Sequence, residues 1–168
     1  MIVLGLGSNQ GDREQQLRRA VEALKTILIN VRCSAVYESA PLLPKDAPAE
    51  WNIVYLNMAI AGEVQLAPDI LLQKIKNLEQ SLGRISRGHW GPREIDIDIL
   101  ACGDSVIDEE DLMVPHKELL GRDFALIPFA EIHPTWKYPM QGKYKGKTAS
   151  ELSRLVDSSM HKTDIIIQ

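Results

Sequence analysis

The chain has 168 residues, 45% of them apolar and 25% charged, which suits one well-packed core and is too short for two ordinary domains. Its formal net charge of −4 is spread along the chain, which argues against a protein that holds polyanions in bulk and leaves room for a small phosphorylated ligand in a local basic pocket. Cys33 and Cys102 sit in apolar, strand-like runs without metal-ligand spacing and read as reduced core thiols; the opening MIVLGLG has no basic leader, and no apolar stretch reaches membrane-spanning length, so a soluble, unprocessed cytoplasmic protein is expected.

In chain order, Ile2 to Gly7 is a short buried strand stopped by the turn residues GSNQGD. From Asp12 the apolar positions Leu17, Ala20, Val21, Leu24 and Leu28 recur at helical spacing and predict an amphipathic helix. Val31 to Ser39 predicts a second strand, with Val31, Cys33, Ala35 and Tyr37 on one face. Three prolines in APLLPKDAPAEWN forbid regular structure there and predict a long, partly stiffened loop. Val54 to Val64 alternates Val54, Leu56, Met58 and Ile60 against Tyr55, Asn57, Ala59 and Ala61, a third strand. A second helix follows Pro68 through Leu71, Ile75, Leu78 and Leu82 and closes at Gly83; Ile95 to Cys102 is the fourth strand.

The order β-α-β-β-α-β predicts an α+β fold of ferredoxin-like type, two helices on one face of an antiparallel sheet and the other face open to ligands or added structure. VPHKELLGRDFALIPFAEI predicts short helical pieces separated by Gly121 and Pro128. The polar, lysine-rich tail ends in DIIIQ, which reads either as an edge strand or as the point where a longer chain was cut. The whole of 1–168 is expected to be one domain.

Gly5, Gly7 and Gly11 miss GxGxxG spacing by one residue, no Gly-Lys-Ser/Thr turn is present, and the first strand lacks the aromatics of an RNA-binding sheet. HWGPREIDIDIL is more informative. On a strand Ile95, Ile97 and Ile99 face the core while Asp96 and Asp98 share the other side, about 7 Å apart by strand rise. Alternation alone allows these aspartates to be a solvated face. The nearby Arg84, Arg87 and Arg93 favour a site in which carboxylates hold a hard cation and guanidinium groups meet phosphate oxygens. Two other classes share parts of the pattern: a regulatory module of the same fold, and a different magnesium-dependent phosphoryl or nucleotidyl transferase.

The same stretch resembles the signature of the 6-hydroxymethyl-7,8-dihydropterin pyrophosphokinase family of folate biosynthesis, Pro-Arg, two residues, then Asp-aliphatic-Asp-aliphatic. The resemblance runs from LGLGSNQGD through Tyr55-Leu56-Asn57 and LEQSLGR to VPHKELLGRDFAL. It implies transfer of pyrophosphate from ATP to the pterin hydroxymethyl group with release of AMP. By resemblance, Arg84, Arg93, Asp96 and Asp98 form the catalytic set, with Asp96 and Asp98 holding two Mg2+ ions. Glu79, Arg84, Arg87, Arg93, Ile99, His116 and Arg122 fall at ATP-binding positions. Tyr55 and Phe124 match the aromatics that sandwich the pterin, Asn57 a contact to its edge, and Trp90 a residue on a glycine-hinged loop that closes over the site. Ser39, Pro41 and Leu42 stand where the loop after the second strand supplies further pterin contacts. Departures are Ser39 and Pro41 in place of Thr-x-Pro, a longer loop before Tyr55, a shorter one between Arg84 and Trp90, and charged Lys76 and Lys117. Some family members continue into dihydropteroate synthase, so fusion to or association with that enzyme is expected as a possibility for the natural chain.

Overall fold

Parity along the first strand decides how the molecule is layered. In the computed structural model, which describes residues 1–88 and 90–168, Ile2–Ser8 forms β1. Ile2, Leu4 and Leu6 enter one apolar cluster, while Val3, Gly5 and Gly7 take the opposite face by alternation. Helix α1, Arg13–Leu24, starts where the Asp12 carboxylate accepts the Gln15 N–H at 3.0 Å, a side-chain N-cap. Helix α2, Pro68–Ser81, begins on a proline whose missing N–H has no intrahelical role there. Both helices bury their apolar stripes, Leu17, Ala20, Val21 and Leu24 from one and Leu71 and Ile75 from the other, against the even face of β1.

β1 lies between β4, Tyr55–Glu63, and β5, Asp96–Cys102, antiparallel to both. Beyond β4 the sheet continues through β3, Tyr37–Ser39, to β8, His161–Lys162, and β2, Ile29–Cys33, pairs with another part of β4. Every pairing in this sheet is antiparallel. Leu56, Met58 and Ile60 of β4 and Ile97 and Ile99 of β5 face the α1 and α2 side, whereas Ala59, Ala61, Leu100 and Ala101 face the other. Leu100 is an extra residue: β1 pairs Leu4 with Ile99 but Val3 with Ala101.

Two expectations are corrected here. Val31 to Ser39 is two strands, because Ser34 interrupts the ladder: its Oγ, rather than a main-chain carbonyl, accepts the Ala59 N–H at 2.9 Å. The face slips by one residue, so fully buried Val36, not Ala35, follows Val31 and Cys33 into the helix-side cluster. Pro128 does not separate two pieces either. A 3-10 turn ends at Gly121, but α3, Asp123–Ile132, runs through Pro128. The proline removes one helical N–H, and burial of Leu126, Phe129 and Ile132 against Val3, Ala59 and Ala61 outweighs it.

The C-terminal third adds a short hairpin, β6 (Ile107–Asp108) with β7 (Met113–Val114), that periodicity does not signal, and α4 (Ala149–Ser153), opened by a Thr148–Glu151 capping box. Helix α4 packs with α3 on the second face. After β8, Ile165 and Ile167 return to the α1 and α2 side while Ile166 points outward, 68% exposed. Among the described residues no helix is long and apolar enough to cross a membrane.

Candidate active site

Register lays out the site. Asp96 of β5 stands opposite Gly7 of β1, Gly7 opposite Asn57 of β4, and Asn57 opposite Tyr37 of β3; in the next row Asp98 stands opposite Gly5 and Gly5 opposite Ala59. Directly paired residues share a face, so both aspartates and Asn57 point to the side carrying α3. Helix α3 covers the β4 part of that face, and the two glycines raise no side chain between the aspartates and Asn57. A Cβ at Gly7 would lie 3.2 Å from Asn57 Oδ1, and one at Gly5 3.2 Å from the Leu100 side chain. The result is a cavity of about 390 Å³ floored by β1.

One end of the cavity is aromatic and amide-lined: Tyr55 and Asn57 from β4, Ser39 from the end of β3, Leu42 from the start of the proline-rich loop, and Phe124 from the first turn of α3. Trp90 sits at the mouth, 41% exposed. The other end is ionic. Arg93 lines the cavity and pairs with Asp96 at 2.6 Å; Arg84 does not line it but reaches the same carboxylate from the Glu79 side at 3.0 Å, so both Asp96 oxygens meet guanidinium groups. Burial, then the charges of Asp96 and Glu79, hold the Asp98 carboxyl well above the usual carboxylate range. Tyr55 is likewise pushed up by burial and by Asp96.

His116 and Arg122 complete that end. Burial, reinforced by the Arg122 charge, lowers the His116 pKa, and His116 Nδ1 accepts the Glu118 N–H at 3.2 Å, which leaves Nε2–H as the donor. Arg122 lies over the Phe124 ring, 5.6 Å from its centroid, and its Nε is buried with no hydrogen-bond partner among the described residues. Two carboxylates, converging cations and a flat aromatic pocket in one cavity suit a ligand that is planar at one end and polyanionic at the other.

Not every residue singled out in the sequence reaches this cavity. Ile99 is 4% exposed in the helix-side core, so its side chain faces away from the site and only its main chain is on the sheet near it. Glu79 is buried beneath β5, where it accepts the Ile97 N–H at 2.7 Å and pairs with Arg84; burial raises its pKa. Arg87 pairs with Glu94 at 2.6 Å and also donates to the Pro92 carbonyl at 3.1 Å, away from the cavity lining. Pro41 precedes Leu42 without lining the cavity itself. His89, within the loop signature, lies outside the described residues.

Conversely, Gly5 and Gly7, which in the sequence offer only a failed GxGxxG match, form the open floor, and their period-two spacing on a strand is the signal for it. Asn9 reads in the sequence as a turn residue. Asn9 is 2% exposed and ties two segments together: its Oδ1 accepts the Arg93 N–H at 2.8 Å and its Nδ2 donates to the Ile53 carbonyl at 3.2 Å.

Residues 3–134 match the family model described as 7,8-dihydro-6-hydroxymethylpterin-pyrophosphokinase. The chain is 43% identical over 142 residues to the 2-amino-4-hydroxy-6-hydroxymethyldihydropteridine pyrophosphokinase of Aquifex aeolicus, covering 84% of this chain and 86% of that one. It is 41% identical over 158 residues to the folate synthesis bifunctional protein of Chlamydia muridarum, covering 92% of this chain and 35% of that protein. The chain thus spans about a third of the length of the bifunctional relatives it matches. The crystal structure of Plasmodium falciparum HPPK-DHPS superposes with a TM-score of 0.69 at 16% identity, over 92% of this chain and 44% of that one, a likeness of fold.

Proposed function

The chain belongs to the 7,8-dihydro-6-hydroxymethylpterin-pyrophosphokinase family of folate biosynthesis, and on that premise we propose that it moves the β,γ-pyrophosphoryl unit of ATP to the hydroxymethyl oxygen of 6-hydroxymethyl-7,8-dihydropterin, releasing AMP. The observation that carries the residue assignment is the single cavity in which an aromatic and amide end adjoins paired aspartates and arginines. The sheet order β5-β1-β4-β3 with antiparallel neighbours supports the ferredoxin-like description, and the whole of 1–168 is taken as one catalytic domain. The bifunctional relatives support a chain that works fused to or beside dihydropteroate synthase. ATP and a small pterin as substrates fit a cytoplasmic enzyme.

Magnesium is part of the proposal, and the donor set fits it. Among the described residues no three His, Cys, Asp or Glu side chains cluster, so the protein offers a pair of carboxylates. A hard cation that takes few protein oxygens and fills its remaining positions with water and phosphate suits such a pair, and burial together with the charges of Asp96 and Glu79, which raise Asp98, leaves that carboxyl in need of positive charge. Asp96 and Asp98 would hold the two ions, which when bound neutralise phosphate charge and make the attacked phosphorus more electrophilic.

The chain's own groups then have distinct tasks. Tyr55 and Phe124 hold the pterin ring, Asn57 orients its edge, and Trp90 with Leu42 covers the mouth and limits water. Arg84, Arg93 and Arg122 meet the phosphates with guanidinium N–H groups, and His116 adds its Nε2–H. Together they align the hydroxyl with the β-phosphorus and stabilise charge on the departing AMP and the moving pyrophosphoryl group. Glu79 serves the nucleotide through Arg84. ATP carrying phosphorus-32 at the β position tests the reading: label is expected in the pterin product, and label confined to ADP would overturn it.

A further inference from the structure

We propose that Arg13 is a positioning residue for the pterin, acting from the opposite side of the sheet by clamping the open end of the β3–β4 pair. The inference rests on the pterin reading above and deepens it. Ser39 and Tyr55 are the last directly paired residues of β3 and β4, and both line the cavity. Between them runs the proline-rich loop, 40–54, in which no strand continues the ladder. The last rung of a ladder frays unless something besides the strands holds it, and a long loop leaving that rung adds to the tendency.

Arg13 supplies the hold. It is the first residue of α1, and its Nη1 donates to the Val54 carbonyl at 2.9 Å and to Glu38 Oε2 at 3.3 Å. Glu38 and Val54 immediately precede Ser39 and Tyr55, so one guanidinium nitrogen ties the two strands together behind the last rung. Alternation explains the arrangement: Tyr37 reaches α3, so Glu38 turns to the helix side, where its paired partner Leu56 enters the core. Asn9, from the turn that leads into α1, donates to the neighbouring Ile53 carbonyl at 3.2 Å, and the Asp12 carboxylate caps the first turn of the helix. A cation at the first helical position opposes the helix dipole, and both acceptors lie outside α1, so the helix is not what this arginine serves. With side chains 29% and 39% exposed, Arg13 and Glu38 would gain little as an ion pair alone. The bond to the Val54 main chain turns that pair into a bridge between two chain segments. Without the bridge the chain samples forms in which Ser39 and Tyr55 leave the cavity wall, and apparent pterin affinity falls with the fraction that keeps them there. The ionic end rests on β5 and the loop before it, which the clamp does not touch.

The test compares the wild type with Arg13→Ala, Glu38→Ala and the double variant in steady-state kinetics, each substrate varied at saturation of the other. Arg13→Ala is expected to raise the pterin KM about fivefold with kcat and the ATP KM unchanged, because saturating pterin draws the chain back to its binding form. Glu38→Ala leaves the Val54 bond in place and is expected to raise the pterin KM about twofold, and the double variant to match Arg13→Ala alone. Arg13→Met keeps the aliphatic stem and serves as the same test should Arg13→Ala fold poorly. An active wild type whose Arg13 variant keeps its pterin KM, or raises the pterin and ATP KM together, would overturn this inference alone. So would a double variant whose pterin KM rises by the product of the two single effects. A wild type that makes no AMP from the pterin would overturn the reading beneath it.

Discussion

Arg93 and Trp90 separate the demands of the site from those of the fold. Arg93 pairs with Asp96 across the ionic end, whereas Trp90 is 41% exposed at the mouth and belongs to neither core cluster. Arg93→Ala is expected to lower kcat by about a hundredfold, the scale of a lost transition-state charge contact. Trp90→Ala should raise the pterin KM while changing stability by no more than about 0.5 kcal/mol, as for a surface substitution. Steady-state kinetics beside denaturant titration checks both, and full activity in both variants would remove this loop from the site. Gly7→Ala probes the floor: its methyl would sit 3.2 Å from Asn57 Oδ1 and 3.5 Å from Tyr55 Cδ1, so pterin binding should weaken more than ATP binding. Equal losses for both substrates, read by titration calorimetry, would contradict that placement.

At the scale of elements, the tail supplies a paired comparison. Ile167 is 4% exposed in the helix-side core and Ile166 is 68% exposed, so Ile167→Ala should cost about 2 kcal/mol or more and Ile166→Ala under about 0.5 kcal/mol by denaturant titration. Equal costs would mean that the tail does not dock as described. Tyr37, which joins β3 to α3, gives a pH-dependent prediction. Burial and the hydrogen bond to Glu131 push its phenol from 10 up to about 12. A raised pKa contributes stability that is present below the unfolded value and lost as pH climbs through the folded one. The difference in thermal midpoint between wild type and Tyr37→Phe should hold steady to pH 10 and close toward pH 12; a gap unchanged at pH 12 would count against the Tyr37–Glu131 bond.

The elements also show what one-dimensional pattern conveys. α1, β4, α2 and β5 were readable from apolar positions at a regular period and β1 from an unbroken apolar run, and the turn signals at Asp12, Pro68 and Gly83 bound them. The break at Ser34 was not, since a serine hydroxyl replacing a main-chain acceptor leaves no trace in hydropathy. Nor was α3 readable as one helix, because Pro128 counts as a breaker locally and is overridden only by packing against a sheet formed from distant residues. Much of the site was legible for a different reason. Asp96, Asp98, Arg84 and Arg93 stand close together in the chain, so their types and spacing already describe the ionic end. Asn9, Gly5 and Gly7 join it through sheet register and a loop-to-loop bond, which only the folded chain supplies.

For the whole molecule, the layering leaves one face of the sheet open to the two substrates proposed for it. Helices α1 and α2 stabilise the sheet from one side, and α3 covers only part of the other, so the central strand is left as a floor for ligand. The side chains proposed for the site come from β4, β5, the loop before β5 and the start of α3, over a floor of β1, elements held by the cores rather than by the ligand. The central claim is that this cavity carries out pyrophosphoryl transfer supported by magnesium. The most direct measurement is to incubate the protein with ATP and 6-hydroxymethyl-7,8-dihydropterin, with magnesium or with excess chelator, and to quantify adenine nucleotides. The account predicts AMP in equal amount to pterin pyrophosphate, formed only when both the pterin and magnesium are present; ADP as the product, AMP formed without pterin, or undiminished turnover in chelator would contradict it.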